Sequence, residues 1–178
     1  EIKEVIDILN NKGDKQLREL CLVLSATILS ISYNWTYEEA YKKAEQSIVD
    51  GSAYKKFIEF VNAQGGNTDF NMLPVAKKSI EIKAMNDGYI VSIDSRIVGE
   101  SAVLLGAGRE KKTDTIDYGA GIILYKKTCD KVSSGDTIAI LYAENDELLK
   151  KGEKLFNTSY KIGDEKPETM PLIYKTIR

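Results

Sequence analysis

Few side chains in this sequence have types and spacing that could do chemistry. Gly106-Ala107-Gly108-Arg109 places two glycines, which bare backbone N–H donors, beside a guanidinium able to hold an oxyanion with two hydrogen bonds. As a dinucleotide fingerprint the segment fails. The third glycine of G-x-G-x-x-G falls at Lys111, and the residues before it read as helix where a strand is required. The same four residues also read as a helix C-terminus followed by a surface arginine. Beyond them Glu110, Lys111, Lys112, Asp114 and Asp117 form a mixed charged loop, either solvated or a flap. Near the beginning Glu1 and Glu4, with Lys3 between, offer carboxylates to a cation or simply face water.

What is missing narrows the chemistry further. The chain has no histidine, so acid–base work would fall to Asp, Glu, Lys or Tyr. Cys21 and Cys129 belong to no CxxC pair, which leaves neither a zinc set nor a Cys–His pair, and a reducing cytoplasm is the expected home. With 25 basic against 27 acidic residues the net charge is −2, so no global positive field draws nucleic acid or an anionic membrane. Lys126-Lys127 is too short for a nucleic-acid patch and lacks interleaved aromatics; the 10 tyrosines are scattered and assigned to packing. The apolar run 20–31 is broken by Ser25, Thr27 and Ser30 and is too short to span a bilayer. No secretory signal precedes it, so the sequons at Asn34 and Asn157 read as accidents.

The elements that must hold these groups follow from periodicity. At 178 residues and 43% hydrophobic, the chain can bury a core and suits one domain or two small ones. Ile2, Val5, Ile6 and Leu9 mark a first helical face with no capping residue ahead of it, as if the chain were cut from something longer. Asp14 is expected to cap a second helix apolar on so many sides that it should be buried almost all round. Thr36-Tyr37-Glu38-Glu39 is a capping box, Ser52 is expected to cap a fourth helix, and Gly65-Gly66 stops it. A turn-rich stretch, 65–74, then marks a boundary between residues 1–73 and 74–178. Alternation over 79–84 and 89–93 about Asn86-Asp87-Gly88 predicts a β-hairpin. Further expectations are a helix over 97–105, strands over 122–126 and 137–142, a helix over 146–156, and an edge strand at Pro171-Leu172-Ile173-Tyr174.

Asp87-Gly88-Tyr89-Ile90, with Lys131-Val132-Ser133-Ser134-Gly135-Asp136-Thr137-Ile138, resembles the hammerhead-like sheet of biotinyl and lipoyl carrier domains. The fold expected is therefore α+β: an N-terminal helical segment, then a C-terminal α/β hammerhead-like, barrel-sandwich domain. Carriers present one lysine in a tight hairpin, whereas no Met-Lys-Met or Asp-Lys-Ala triplet stands between these half-motifs. A stand-alone biotinyl/lipoyl-like binding or interaction module is the alternative functional reading.

A wider resemblance runs end to end. Asn62-Ala63-Gln64-Gly65-Gly66, Asp87-Gly88-Tyr89, Leu104-Leu105-Gly106-Ala107-Gly108-Arg109, Ile116-Asp117-Tyr118-Gly119-Ala120-Gly121 and Gly135-Asp136, in that order, resemble the last two-fifths of the pyrimidine-nucleoside and thymidine phosphorylases. The resemblance implies a dimeric, cytoplasmic pentosyltransferase of nucleotide salvage, converting a pyrimidine nucleoside and phosphate to free base and pentose 1-phosphate. Residues 1–73 would be the helical end of its α/β domain and 74–178 its C-terminal domain. The family's phosphate loop and base-binding Arg, Lys, Ser and His lie before this segment. The resemblance therefore assigns no catalytic or substrate-binding residue here, and implies an isolated fragment that is inactive. Two roles carry over. Leu105, Gly106, Ala107, Gly108 and Arg109 match a segment that helps the domains close over substrate, and Glu4 matches the one carboxylate of a potassium site whose other ligands are backbone carbonyls upstream. No tightly bound cofactor, nucleic acid or membrane partner is implied.

Overall fold

A computed structural model describes residues 1–109 and 111–177. Their contacts divide the chain into two compact units: Glu1–Met72 with the segment from Met170 onward, and Leu73–Thr169.

The first unit is helical, with α1 over Ile2–Leu9, α2 over Lys15–Tyr33, α3 over Tyr37–Val49 and α4 over Ser52–Ala63. Gly13 turns the chain with φ +82°, and the Asp14 carboxylate accepts the Leu17 amide at 2.8 Å, which starts α2. Ahead of α3 the capping box forms in full, the Glu39 amide donating to Thr36 Oγ1 at 3.2 Å and the Thr36 amide to Glu39 Oε2 at 3.0 Å. Ser52 is not a cap. Gly51 takes that place in the left-handed region at φ +76°, and Asp50 accepts the Ser52 amide one residue inside the helix.

Leu22, Ala44 and Ile48 make the small core of this unit, with Leu29, Tyr41 and Ala53 against it. The expectation that α2 is buried all round is corrected here. Leu22 and Ala26 are buried, but Leu24, Ile28 and Ile31 are 55%, 64% and 79% exposed, because α3 covers only one flank of the helix.

The second unit, mixed α and β, runs β1 (Lys78–Lys83), β2 (Gly88–Ile93), α5 (Ser95–Ala102), β3 (Gly121–Leu124), β4 (Lys131–Val132), β5 (Thr137–Ala143), α6 (Asp146–Phe156) and β6 (Tyr160–Gly163). The strands form two three-stranded antiparallel sheets, ordered β1-β5-β3 and β4-β2-β6. The fold is α+β.

The local hairpin expected of β1 and β2 does not form. β1 pairs with β5, Ile80 facing Leu141 and Ile82 facing Ala139, and this sheet packs with Leu105, Leu149 and Phe156 in one core. β2 places Ile90 with Ala84, Val132 and Ile138 in another. The Asn86-Asp87-Gly88 turn is real but is clasped from afar: the Ser134 amide donates to Asp87 Oδ1 at 2.7 Å, and Ala84 exchanges backbone bonds of 2.8 Å with Gly135 and Asp136. Two neighbouring strands were each better buried by distant partners. β4 and β6 are too short or too polar to carry a period-2 signal, and no strand forms at 171–174.

Candidate functional site

The helix α5 is capped by Asp94, whose carboxylate accepts the Arg96 and Ile97 amides. After Ala102 the helix widens into a π-type turn, Val103–Ala107, and Gly106 ends it with φ +105° and ψ 0°. Arg109 follows on the surface. The helix-terminus reading of Gly106-Ala107-Gly108-Arg109 is thus accurate as local geometry, the break falling at its first residue.

Leu105 anchors the turn. It is fully buried and lies so close to Gly152 of α6 that a Cβ there would meet Leu105 Cδ2 at 2.5 Å. The side chain that fixes the turn therefore needs a glycine 47 residues later, a pairing that no local pattern announces. Gly108 is tight as well, its absent Cβ falling 2.7 Å from Val103 Cγ2.

Asp117 closes the other side. Its amide donates to the Gly106 carbonyl at 2.9 Å, and its Oδ1 accepts the Gly119 amide at 2.8 Å. Gly119 in turn presses on main chain, an added Cβ meeting Ala76 N at 2.7 Å and Val75 C at 2.8 Å. Gly106, Asp117 and Gly119 thus form one hydrogen-bonded clasp. Of the charged loop expected here, Asp117 is structural rather than merely solvated. The Asp114 carboxylate accepts the Lys111 amide at 2.8 Å, and Glu110 lies outside the described residues. Close by, the Glu144 carboxylate and then the Asp117 charge hold the Lys77 ammonium above its ordinary pKa.

Glu4 is in the other unit. It is exposed on α1 and lines, with Glu1, Val5, Ile8, Leu22 and Ile28 among others, an apolar groove of about 640 Å³ formed by the four helices. Among the described residues no three His, Cys, Asp or Glu side chains lie together to hold a metal ion. Glu4 therefore stands as one donor, and no step is assigned to a cation on this chain. Among the described residues no helix is long and apolar enough to cross a membrane.

The likeness to known proteins agrees with the ordered motifs. Residues 89–163 match the family described as pyrimidine nucleoside phosphorylase C-terminal domain. The pyrimidine-nucleoside phosphorylase of Geobacillus stearothermophilus is 36% identical to 99% of this chain, which covers 42% of that protein. That of Staphylococcus epidermidis is 37% identical over the same shares. The Bacillus subtilis enzyme is 39% identical to 85% of the chain, over 37% of its own length. The chain thus spans about two-fifths of the curated relatives it matches. The carrier reading draws no support from these likenesses: residues 89–163 are similar to a pyrimidine nucleoside phosphorylase C-terminal domain, and nearly the whole chain is similar to part of proteins named pyrimidine-nucleoside phosphorylase.

Proposed function

We propose that this chain is the C-terminal part of an enzyme that cleaves a pyrimidine nucleoside with phosphate, giving free base and pentose 1-phosphate. One observation carries the reading: identity of 36–37% along 99% of the chain to proteins named pyrimidine-nucleoside phosphorylase. In that reaction phosphate attacks the anomeric carbon while the glycosidic bond breaks, and the base leaves with the bonding electrons. A site for it must hold two anions near an oxocarbenium-like sugar and keep water out.

In this reading the chain contributes scaffold and closure rather than reacting groups. The buried Leu105, locked against Gly152, gives the 105–109 turn a rigid base from which the exposed Arg109 projects. Movement of its Arg109 end about that base, over bound substrate, would exclude water and set turnover without contact to the reacting atoms. Residues 1–73 are read as the helical end of an α/β domain, 74–178 as the C-terminal domain, and the whole enzyme as a cytoplasmic homodimer. Glu4 is read as the single carboxylate that this chain lends to a potassium site.

The test is phosphate-dependent release of uracil from uridine and thymine from thymidine. The full-length protein is expected to be active on at least one and the 178-residue chain to release neither base. Turnover by the chain alone would overturn the assignment of catalysis to the remaining part. An inactive, folded full-length protein would overturn the enzyme reading itself.

A further inference from the structure

Asp117 carries more than the clasp requires. Its Oδ1 and its amide account for the bonds to Gly119 and Gly106. Its Oδ2 is sealed from solvent and meets no hydrogen-bond donor among the described residues. A carboxylate oxygen in that condition raises the free energy of the state that holds it relative to any state that brings it a donor. Two cations are candidates. Lys77 feels the Asp117 charge, yet its ammonium is engaged by Glu144. Arg109 is three residues beyond Gly106, whose carbonyl the Asp117 amide holds, and its side chain is exposed with no ion pair among the described residues.

We propose that Asp117 is a positioning residue, its Oδ2 receiving the Arg109 guanidinium when the end of the 105–109 turn beyond the Gly106 clasp swings over substrate. The inference rests on the closure reading given above. Pairing supplies the missing donor only in the closed arrangement, so it biases the turn toward closing and leaves the reacting atoms untouched. A guanidinium suits the task because its planar fork can satisfy one oxygen while a second N–H remains bonded elsewhere.

A double-mutant cycle in the full-length protein, assayed with uridine and phosphate, tests the pair. Arg109→Gln and Asp117→Asn are each expected to lower kcat roughly five- to tenfold with KM little changed, and the double variant to fall no further than either. Arg109→Lys should recover part of the loss. Because Arg109 is exposed, its variants should keep the parental melting temperature, which preserves the test if Asp117→Asn folds poorly. Losses that multiply in the double variant overturn the pairing, as does coupling of Asp117→Asn to Lys77→Gln instead. An unchanged kcat in Arg109→Gln removes the closure role of Arg109 and the pairing with it, whereas absence of phosphorolysis in the folded parent removes the enzyme reading.

Discussion

Gly119 and Gly99 make opposite demands on their surroundings. At Gly119 the missing Cβ would strike main-chain atoms of Val75 and Ala76, which cannot rotate away as a side chain tip can. Gly119→Ala is expected to cost about 1–3 kcal/mol, read from the urea midpoint. Gly99 lies exposed inside α5 with nothing within 4 Å of its added Cβ, so Gly99→Ala should stabilise the protein by about 0.5–1 kcal/mol. The sequence marks both as glycines and ranks neither. A second residue-scale effect concerns charge. Asp136 accepts from Lys126 Nζ at 3.0 Å and from the Ser133 amide at 3.2 Å, which holds its carboxyl below the usual value. A depressed folded pKa contributes stability that is present above the ordinary aspartate pKa and lost as pH falls through the folded value. Asp136→Asn should therefore lower the urea midpoint at neutral pH and flatten its decline below about pH 4. An unchanged acid limb would show that Asp136 adds nothing to the pH dependence.

At the scale of elements, what could be read early was what residues decide within one turn of chain. Asp14 and Thr36 announce helix starts because a capping side chain bonds an amide two or three residues away, and both do so. Thr36→Ala removes the hydroxyl acceptor of the Glu39 amide and the donor to Glu39 Oε2, and should cost about 0.5–2 kcal/mol, with Thr36→Ser close to wild type. Thermal melts of the two variants check this. Ser52 misled because serine is a good cap, while the left-handed turn needed at that junction favours Gly51. The hairpin reading of β1 and β2 failed for a different reason. Alternation fixes which face of a strand is apolar but not which strand covers it, and here Ile82 packs with residues of 137–143, while Ile90 packs with Val132 and Ile138 and pairs with Ile162. The same limit hid the candidate site. Its glycines and Arg109 were visible as types, but the clasp depends on Asp117, in a stretch whose charges suggested solvent, and its anchor on Gly152 in a remote helix.

At the scale of the molecule, the helical unit presents apolar surface that its own helices leave uncovered. Its groove of about 640 Å³ is lined by Val5, Leu17, Ile28 and Leu29, and the α2 residues Leu24, Ile28 and Ile31 face water. Apolar surface gathered in this way usually meets a partner, and under the function proposed above that partner is the rest of a longer protein, the chain spanning about two-fifths of its curated relatives' length. Ile28 separates the possibilities by the sign of one substitution. In the 178-residue chain Ile28 is mostly exposed, so Ile28→Ser should change stability by no more than about 0.5 kcal/mol while reducing aggregation and the fluorescence of an apolar dye. In the full-length protein the same side chain should be covered, and Ile28→Ser should then cost about 1–3 kcal/mol, since a buried isoleucine is exchanged for a polar group in a packed interface. Equal, small effects in both contexts would mean that the groove stays open in the longer protein and that its apolar lining serves some other contact.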